Sequence, residues 1–531
     1  MKHRAYFKKP LVSFFWVSLL LFSTNLFASA PTPEKSASAT PKKIAEPTKK
    51  AITKHAPPPM QPIIDPAPGK KADKVIMPEK PMTEMSEYAA LPLQSDFRQI
   101  LAHTYENNPE VASSAIEQKV TAEGVPKALS GWRPTFEAKA SRNVTKNHPA
   151  SLSNPDRIKT NSGEVSATYN IFEGGRTVKS TDAAEAAVRS GMAQFDAKEQ
   201  QTLFEAAQAY FQLLKAKEEV TVNKSQEDRL QKQLRFVKAQ ADVGEKSRTD
   251  LEEARTDYVK SVNRRIVAEQ TLEVRKAVFT QVTQTKPDID RMKLPVLPPE
   301  LFPKSAEEAI EQAMNINPAV LQAKETLTSR QDSIGVARAS LLPRVDFSAS
   351  AKKAHSNAPR NTRSNQNTYQ GVFEMTVPIY GKGGSDWAEL RKTTQEKNKS
   401  RKELMNQRTK SAREAAEAWA QWDYTKRQIP YLQTQVKSAN ILVDGRRREY
   451  EAGEKVLLAV TEAEDKLIQA ETSLLNAKQD ERIQACRLLT SVGRFSARAL
   501  NIPINRYKIE EYYREARGQW IGGTGESDAE G

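Results

Sequence analysis

The sequence predicts a mostly α-helical chain with a membrane β-barrel segment: long coiled-coil helices plus four β-strands per chain. Three observations predict it: an internal repeat at a fixed offset of 209 residues, four segments of period-two alternation, and a secretory N-terminus.

The N-terminus sets the compartment. Lys2, Arg4, Lys8 and Lys9 precede the apolar run "PLVSFFWVSLLLFSTNLFASA", which ends in Ala28-Ser29-Ala30. A basic start, an apolar core and small residues before the cut describe a signal peptide over 1–30. The alternative is an uncleaved anchor, because the apolar run nearly suffices to span a bilayer. Residues 31–83 hold twelve of the thirty prolines, mixed with Lys, Ala and Thr. Such a stretch buries little apolar area and reads as an extended cationic tether.

Composition narrows the function classes. Only 38% of the 531 residues are hydrophobic and 28% are charged, a mix that suits long solvated helices better than a thick core. The net charge of +15 is scattered among 66 acids, with no basic stripe interleaved with aromatics, so nucleic acid is not an expected partner. The single cysteine, Cys486, excludes a disulfide framework and a lipid-bearing cysteine after the signal. The five histidines are dispersed without metal-ligand spacing, and no nucleophile motif or phosphate loop appears. No enzyme, metal or cofactor is expected.

The repeat organises the rest. "NNPEV" at 107–111 matches "INPAV" at 316–320, Pro134 pairs with Pro343, and "EAAQAYFQL" from Glu205 pairs with "EAAEAWAQW" from Glu414. Gly174-Gly175 in "YNIFEGGR" pairs with Gly383-Gly384 in "VPIYGKGGS", and Gly244-Glu245-Lys246 pairs with Gly453-Glu454-Lys455. Every pair lies 209 residues apart. A period this long describes two halves of one architecture, 84–294 and 295–505, followed by a tail over 506–531.

Each half reads as a helix of about 35 residues up to the proline, two strands around a polar loop, a Gly-Gly turn, and a helix of about 65 residues. The Gly-Glu-Lys turn and a returning helix of about 38 residues complete it. At 1.5 Å per residue the longest helices span about 100 Å. In the strands, Phe136, Ala138 and Ala140 alternate with Glu137, Lys139 and Ser141, and Val165, Ala167, Tyr169 and Ile171 with Glu164, Ser166, Thr168 and Asn170. Val345, Phe347, Ala349 and Ala351 repeat the pattern, as do Tyr369, Phe373, Met375, Val377 and Ile379. Alternation near ten residues long is the mark of outer-membrane barrel strands; ordinary half-buried hairpins are the alternative. The loops are expected at 144–163 and 353–368, with Trp132 and Trp387 at the membrane interface. Pro134 and Pro343 open strands, and the Gly-Gly pairs allow sharp strand-to-helix turns. Four strands cannot close a barrel. Two chains would give eight strands with a filled interior, and three would give twelve with a lumen, so a homotrimer is expected.

These segments together resemble the TolC-type outer-membrane efflux and secretion family, over about residues 90–505. The resemblance implies a twelve-stranded trimeric barrel continuing into a periplasmic α-helical tunnel. It implies docking on a periplasmic adaptor and an inner-membrane pump, ABC-type or proton-driven. The tips Gly244, Glu245, Lys246, Gly453 and Glu454 fall where the family meets its adaptor; plain hairpin turns are the alternative. Glycine there lets the helix reverse. Carried over residue by residue, Thr249 and Asp250 fall on one side of the latch that holds the family's tunnel shut, and Tyr450 and Lys455 on the other. Lys455 stands where a relative has arginine. Glu462 keeps one position of the family's acidic constriction, and Ala459 loses the other. Phe204, Ala207, Phe211 and Leu214 follow coiled-coil spacing. The implied function is an exit duct in the outer membrane, for type I protein secretion or, alternatively, multidrug efflux. A coiled-coil scaffold without a pore is the rival from another class. The linker 286–305 and the chain ends are expected to form an equatorial belt, and the residues after Arg517 to be disordered.

Overall fold

The computed structural model describes residues 95–147, 156–358, 362–504, 507 and 509–522. The signal peptide, the tether and residues 523–531 lie outside the described residues.

The first half begins with α1 (Ser95–Asn107), α2 (Pro109–Ala122) and α3 (Gly124–Leu129), followed by a 3₁₀ turn at Ser130–Trp132. The single helix of about 35 residues expected here is therefore broken, and the motif that breaks it is Asn-Pro. Pro109 takes the first helical position, where a missing N–H costs nothing, and the Asn108 side chain accepts from Glu110 N at 2.9 Å. Strands β1 (Thr135–Asn147) and β2 (Asp156–Glu173) lead to α4 (Arg176–Asp242) and α5 (Arg248–Thr283). The second half repeats the break, with α6 (Ala306–Ile316) and α7 (Pro318–Ala339) parted at Asn317-Pro318. Then come β3 (Arg344–Ala358), β4 (Thr362–Thr376), α8 (Ser385–Glu451) and α9 (Leu457–Val492). The paired long helices have equal lengths in the two halves, 67 residues for α4 and α8 and 36 for α5 and α9.

The four strands form one antiparallel meander in the order β1-β2-β3-β4. The register puts like with like. Phe136, Ala167, Ala349 and Gly371 form one cross-strand row, and Ala138, Val165, Ala351 and Tyr369 the next. Rows of Glu137, Ser166, Ser350 and Gln370, and of Lys139, Glu164, Lys352 and Thr368, occupy the other face. Phe136, Tyr369 and Phe373 are each about three-quarters exposed, so this chain alone leaves its apolar face uncovered.

Two sequence expectations change here. The strands run 13, 18, 15 and 15 residues, through most of the polar segments expected to be loops. The apolar face ends where Arg142, Asn161, His355 and Asn365 form a row. Beyond it both faces are wet, so the backbone ladder continues after the alternation stops. The second change is a bulge between Asn170 and Phe172, which puts Phe172 and not Ile171 opposite Val345.

The main core is a belt around the middle of α4. Phe97 and Leu101 of α1, Leu203, Tyr210 and Phe211 of α4, Phe279 of α5, and Leu489 and Phe495 are all at most 1% exposed. Linker residues Ile289, Met292, Leu297 and Phe302 and the chain-end residues Ile502, Tyr507 and Ile509 pack on the same cluster. Tyr210 donates its hydroxyl to the Lys293 carbonyl at 2.6 Å, which ties the linker to the belt. The tail also departs from expectation. After α10 (Ile509–Gly518), Gln519 and Trp520 contact Arg133.

Candidate functional site at the helical tips

Both long hairpins reverse in the same geometry. Glu245 N donates to Gln240 O at 2.9 Å, and Gly244 N to Ala241 O at 3.1 Å. In the other copy Glu454 N donates to Glu449 O at 2.9 Å, and Gly453 N to Tyr450 O at 3.1 Å. These are paired Schellman closures. Gly244 and Gly453 sit at φ +82 and +79, a region that L side chains enter only with strain. Neither has an atom within 4 Å of where a Cβ would stand, so conformation and not space demands glycine.

The two tips then diverge. Ser247 caps α5 in a reciprocal box: its hydroxyl accepts from Asp250 N at 3.1 Å, and the Asp250 carboxylate accepts from Ser247 N at 3.1 Å. Val456, the counterpart, provides no side-chain cap for α9. Lys246 reaches across to place its ammonium 4.2 Å from the Tyr450 ring centroid.

Of the residues expected to form the latch, Asp250 lies near enough to Tyr450 for its charge to act on the phenol, and among the described residues no contact joins Thr249 or Lys455 to them. Tyr450 is 5% exposed among Val237, Ala254, Leu457 and Val460, so all four long helices meet around it. Burial, with the charges of Asp250 and Glu253 near by, raises its phenol above the ordinary tyrosine range. Its hydroxyl has no hydrogen-bond partner among the described residues. Thr249 and Lys455 are exposed at the rim, as are the tip residues Glu245 and Glu454. Glu462 is exposed on α9 and makes no ion pair among the described residues. Ala459 is half-buried one turn before it.

Sequence reasoning missed the polar contacts that hold the two hairpins together. Glu464, 1% exposed, accepts from Arg229 Nε of α4 at 3.0 Å and from an Arg447 guanidinium nitrogen of α8 at 2.9 Å. The carboxyl of Glu471, 3.9 Å from Arg229, is raised by its own burial and by the Glu464 charge, against the pull of Arg229. Thr461 donates to Asp257 at 3.0 Å, and Arg264 pairs with Asp465 at 3.1 Å, joining α9 to α5. One signal was available: Val460, Ala463, Leu467 and Ala470 recur at coiled-coil spacing, and Glu464 is a carboxylate set beside that seam.

At the opposite end of the helices the strand-to-helix turns run through the paired glycines. Gly174 and Gly175 have φ of +60 and +79, and Gly383 and Gly384 of +62 and +84. At Gly174 a Cβ would also meet the Ala339 carbonyl at 2.9 Å. Pro134 and Pro343 each stand one residue before a strand. The Asn-Pro pairs do more than break helices. Asn108 Nδ2 donates to Val282 O at 3.1 Å, and Asn317 Nδ2 to Ser491 O at 2.8 Å, so each side chain also binds the end of the returning helix. Donors and acceptors alike obey the 209-residue offset.

Comparison with known proteins agrees with this architecture. The sequence profile of the outer membrane efflux protein family matches residues 101–277 and 309–494, one block in each half. The chain is similar to the outer membrane efflux protein BepC of Brucella suis, with 25% identity over 80% of this chain and 90% of that protein. It is similar to the alkaline protease secretion protein AprF of Pseudomonas aeruginosa, with 23% identity over 57% of this chain and 65% of that one. Among solved structures, the CmeC outer membrane channel of Campylobacter jejuni has the same fold, with a TM-score of 0.65 at 16% identity over 80% of this chain and 89% of that chain. With the duplicated meander and long hairpins, these matches set aside the pore-less scaffold: the chain belongs to the outer membrane efflux protein family, the TolC-type channels of Gram-negative outer membranes.

Proposed function

We propose that the chain assembles as a homotrimer and serves as the exit duct of a tripartite export system, with type I protein secretion as its task. The observation that carries the duct is the pair of open sheet edges. β1 and β4 each have a pairing partner on one side only, and a bilayer cannot satisfy the exposed backbone groups on the other. Three copies joined edge to edge make twelve strands, enough for a lumen, and the 67-residue helices continue it into the periplasm. The tips at Gly244–Lys246 and Gly453–Glu454 then face a periplasmic adaptor, coupled to an ABC-type pump in the inner membrane.

Similarity to AprF, named for alkaline protease secretion, supports the protein-export reading. Similarity to BepC, named an efflux protein and matched over more of the chain, favours a second reading, small-molecule efflux driven by a proton-coupled pump. In either case Thr249, Asp250, Tyr450 and Lys455 belong to a periplasmic latch. Lysine lacks arginine's planar fork, so Lys455 gives a weaker closed state. Three Glu462 carboxylates form the acidic ring, which favours cations in a narrow pore.

Single-channel recording of the detergent-purified mature protein in a planar bilayer tests the duct. Small cation-selective steps are expected, with selectivity reduced in Glu462→Gln and the closed current lowered in Lys455→Arg. A well-folded protein that gives no conductance overturns the reading. Deleting the gene separates the tasks: loss of an exported protein from the medium supports secretion, and sensitivity to small toxic compounds with unchanged export supports efflux.

A further inference from the structure

The segment after α10 is positioned by specific contacts. Tyr512 and Tyr513 of α10 pack against Ala122, Val125 and Val188, and the Tyr512 hydroxyl donates to Glu123 at 2.7 Å. Arg517 pairs with Glu185 at 2.8 Å. Glu185 lies nine residues along α4 from Arg176, where the helix leaves the sheet, or about 14 Å at helical rise. Arg133 donates to the Gln519 carbonyl at 3.0 Å, and its guanidinium lies 4.7 Å from the Trp520 ring centroid. Arg133 stands two residues before β1 and three before Phe136, the first apolar residue of the uncovered sheet face.

The result is an apolar cluster at the foot of the strands. Trp520 is 67% exposed, Ile521 93%, and Trp132, beside Arg133, 48%. Nothing in the fold requires a tryptophan and an isoleucine to be carried up α4 and left in the open. Tryptophan with a neighbouring cation is the composition that settles at a lipid headgroup layer, where the ring takes the apolar side and the guanidinium the phosphates.

We propose that Arg133, Trp520 and Ile521 form a second membrane contact, in which the C-terminal tail seats on the periplasmic headgroup layer of the outer membrane. The occupant is lipid because Arg133, on which Trp520 rests, stands three residues before Phe136, where the exposed apolar sheet face begins. The inference rests on the reading of that sheet face as membrane-embedded.

Nitroxide labels at Ile521→Cys, Phe373→Cys and Glu454→Cys, each in the full chain in proteoliposomes, test it through collision with oxygen and with a water-soluble nickel chelate. Cys486 is wholly buried, so the unsubstituted protein is the unlabelled blank. The label at 521 is expected to favour oxygen, as at 373, while 454 favours nickel, and adding Arg133→Ala is expected to return 521 to the nickel-accessible state. A water-like label at 521 beside a lipid-like label at 373 overturns the anchor and leaves the barrel standing. Water-like labels at both overturn the two together. A label at 521 closed to both reagents, in detergent as in lipid, assigns the cluster to a neighbouring subunit and also overturns the proposal.

Discussion

Glu464 is the residue whose environment says most about how the tunnel wall is held. It is a nearly inaccessible carboxylate between guanidinia from two other helices, so its removal leaves two cations facing each other across a packed seam. Removing one member of a buried ion cluster costs about 3–5 kcal/mol; the low end applies here, because Arg447 is 42% exposed and can rehydrate. Glu464→Ala should therefore lower the midpoint of thermal loss of helical circular dichroism. Tyr450→Phe is the contrasting case. It deletes a buried hydroxyl that has no partner among the described residues while keeping the ring under Lys246, so it should leave that midpoint unchanged or raise it. A Glu464→Ala protein as heat-stable as its parent would show that the three charges contribute nothing net.

At the scale of elements the two halves are copies with local differences, and the differences predict stability changes of opposite sign. α5 has a complete capping box and α9 has none. Ser247→Ala should weaken the first tip by about 1 kcal/mol, and Val456→Ser should strengthen the second by a similar amount. Amide exchange in the first turns of α5 and α9 reads both changes, and equal exchange in all variants would sink the account. The long helices were legible because their punctuation is local: a glycine that must enter the left-handed region ends one helix, and in the first half a polar cap starts the next. The breaks at Asn108 and Asn317 were overlooked as breaks although both Asn-Pro pairs stand in the sequence. The apolar pattern runs on across them, and only the captured carbonyls of Val282 and Ser491 reveal what the asparagines bind.

For the whole molecule, the open edges of β1 and β4 set the decisive prediction. Cysteines placed singly on β1 and on β4 should crosslink between chains and not within one, and the detergent-purified protein should have the mass of three chains. A monomer of full helical content would remove the trimer and with it the barrel. Strand existence was readable from alternation, because a sheet with lipid on one side and water on the other must alternate. Strand length was not readable, because past the row of Arg142 and His355 both faces meet water and the pattern vanishes while the ladder continues.

The sequence by itself determined the duplication, the reversal points at Gly244 and Gly453, the strand-to-helix turns at the Gly-Gly pairs, and the family. All of these rest on interactions a few residues apart or on a repeat that needs no third dimension. Only the tertiary structure decided that the charge of Asp250 acts on Tyr450, that Glu464 bridges Arg229 and Arg447, and that Trp520 rests on Arg133. Each of these joins residues far apart along the chain, and the charge or ring of one partner carries no local mark of which distant group it will meet.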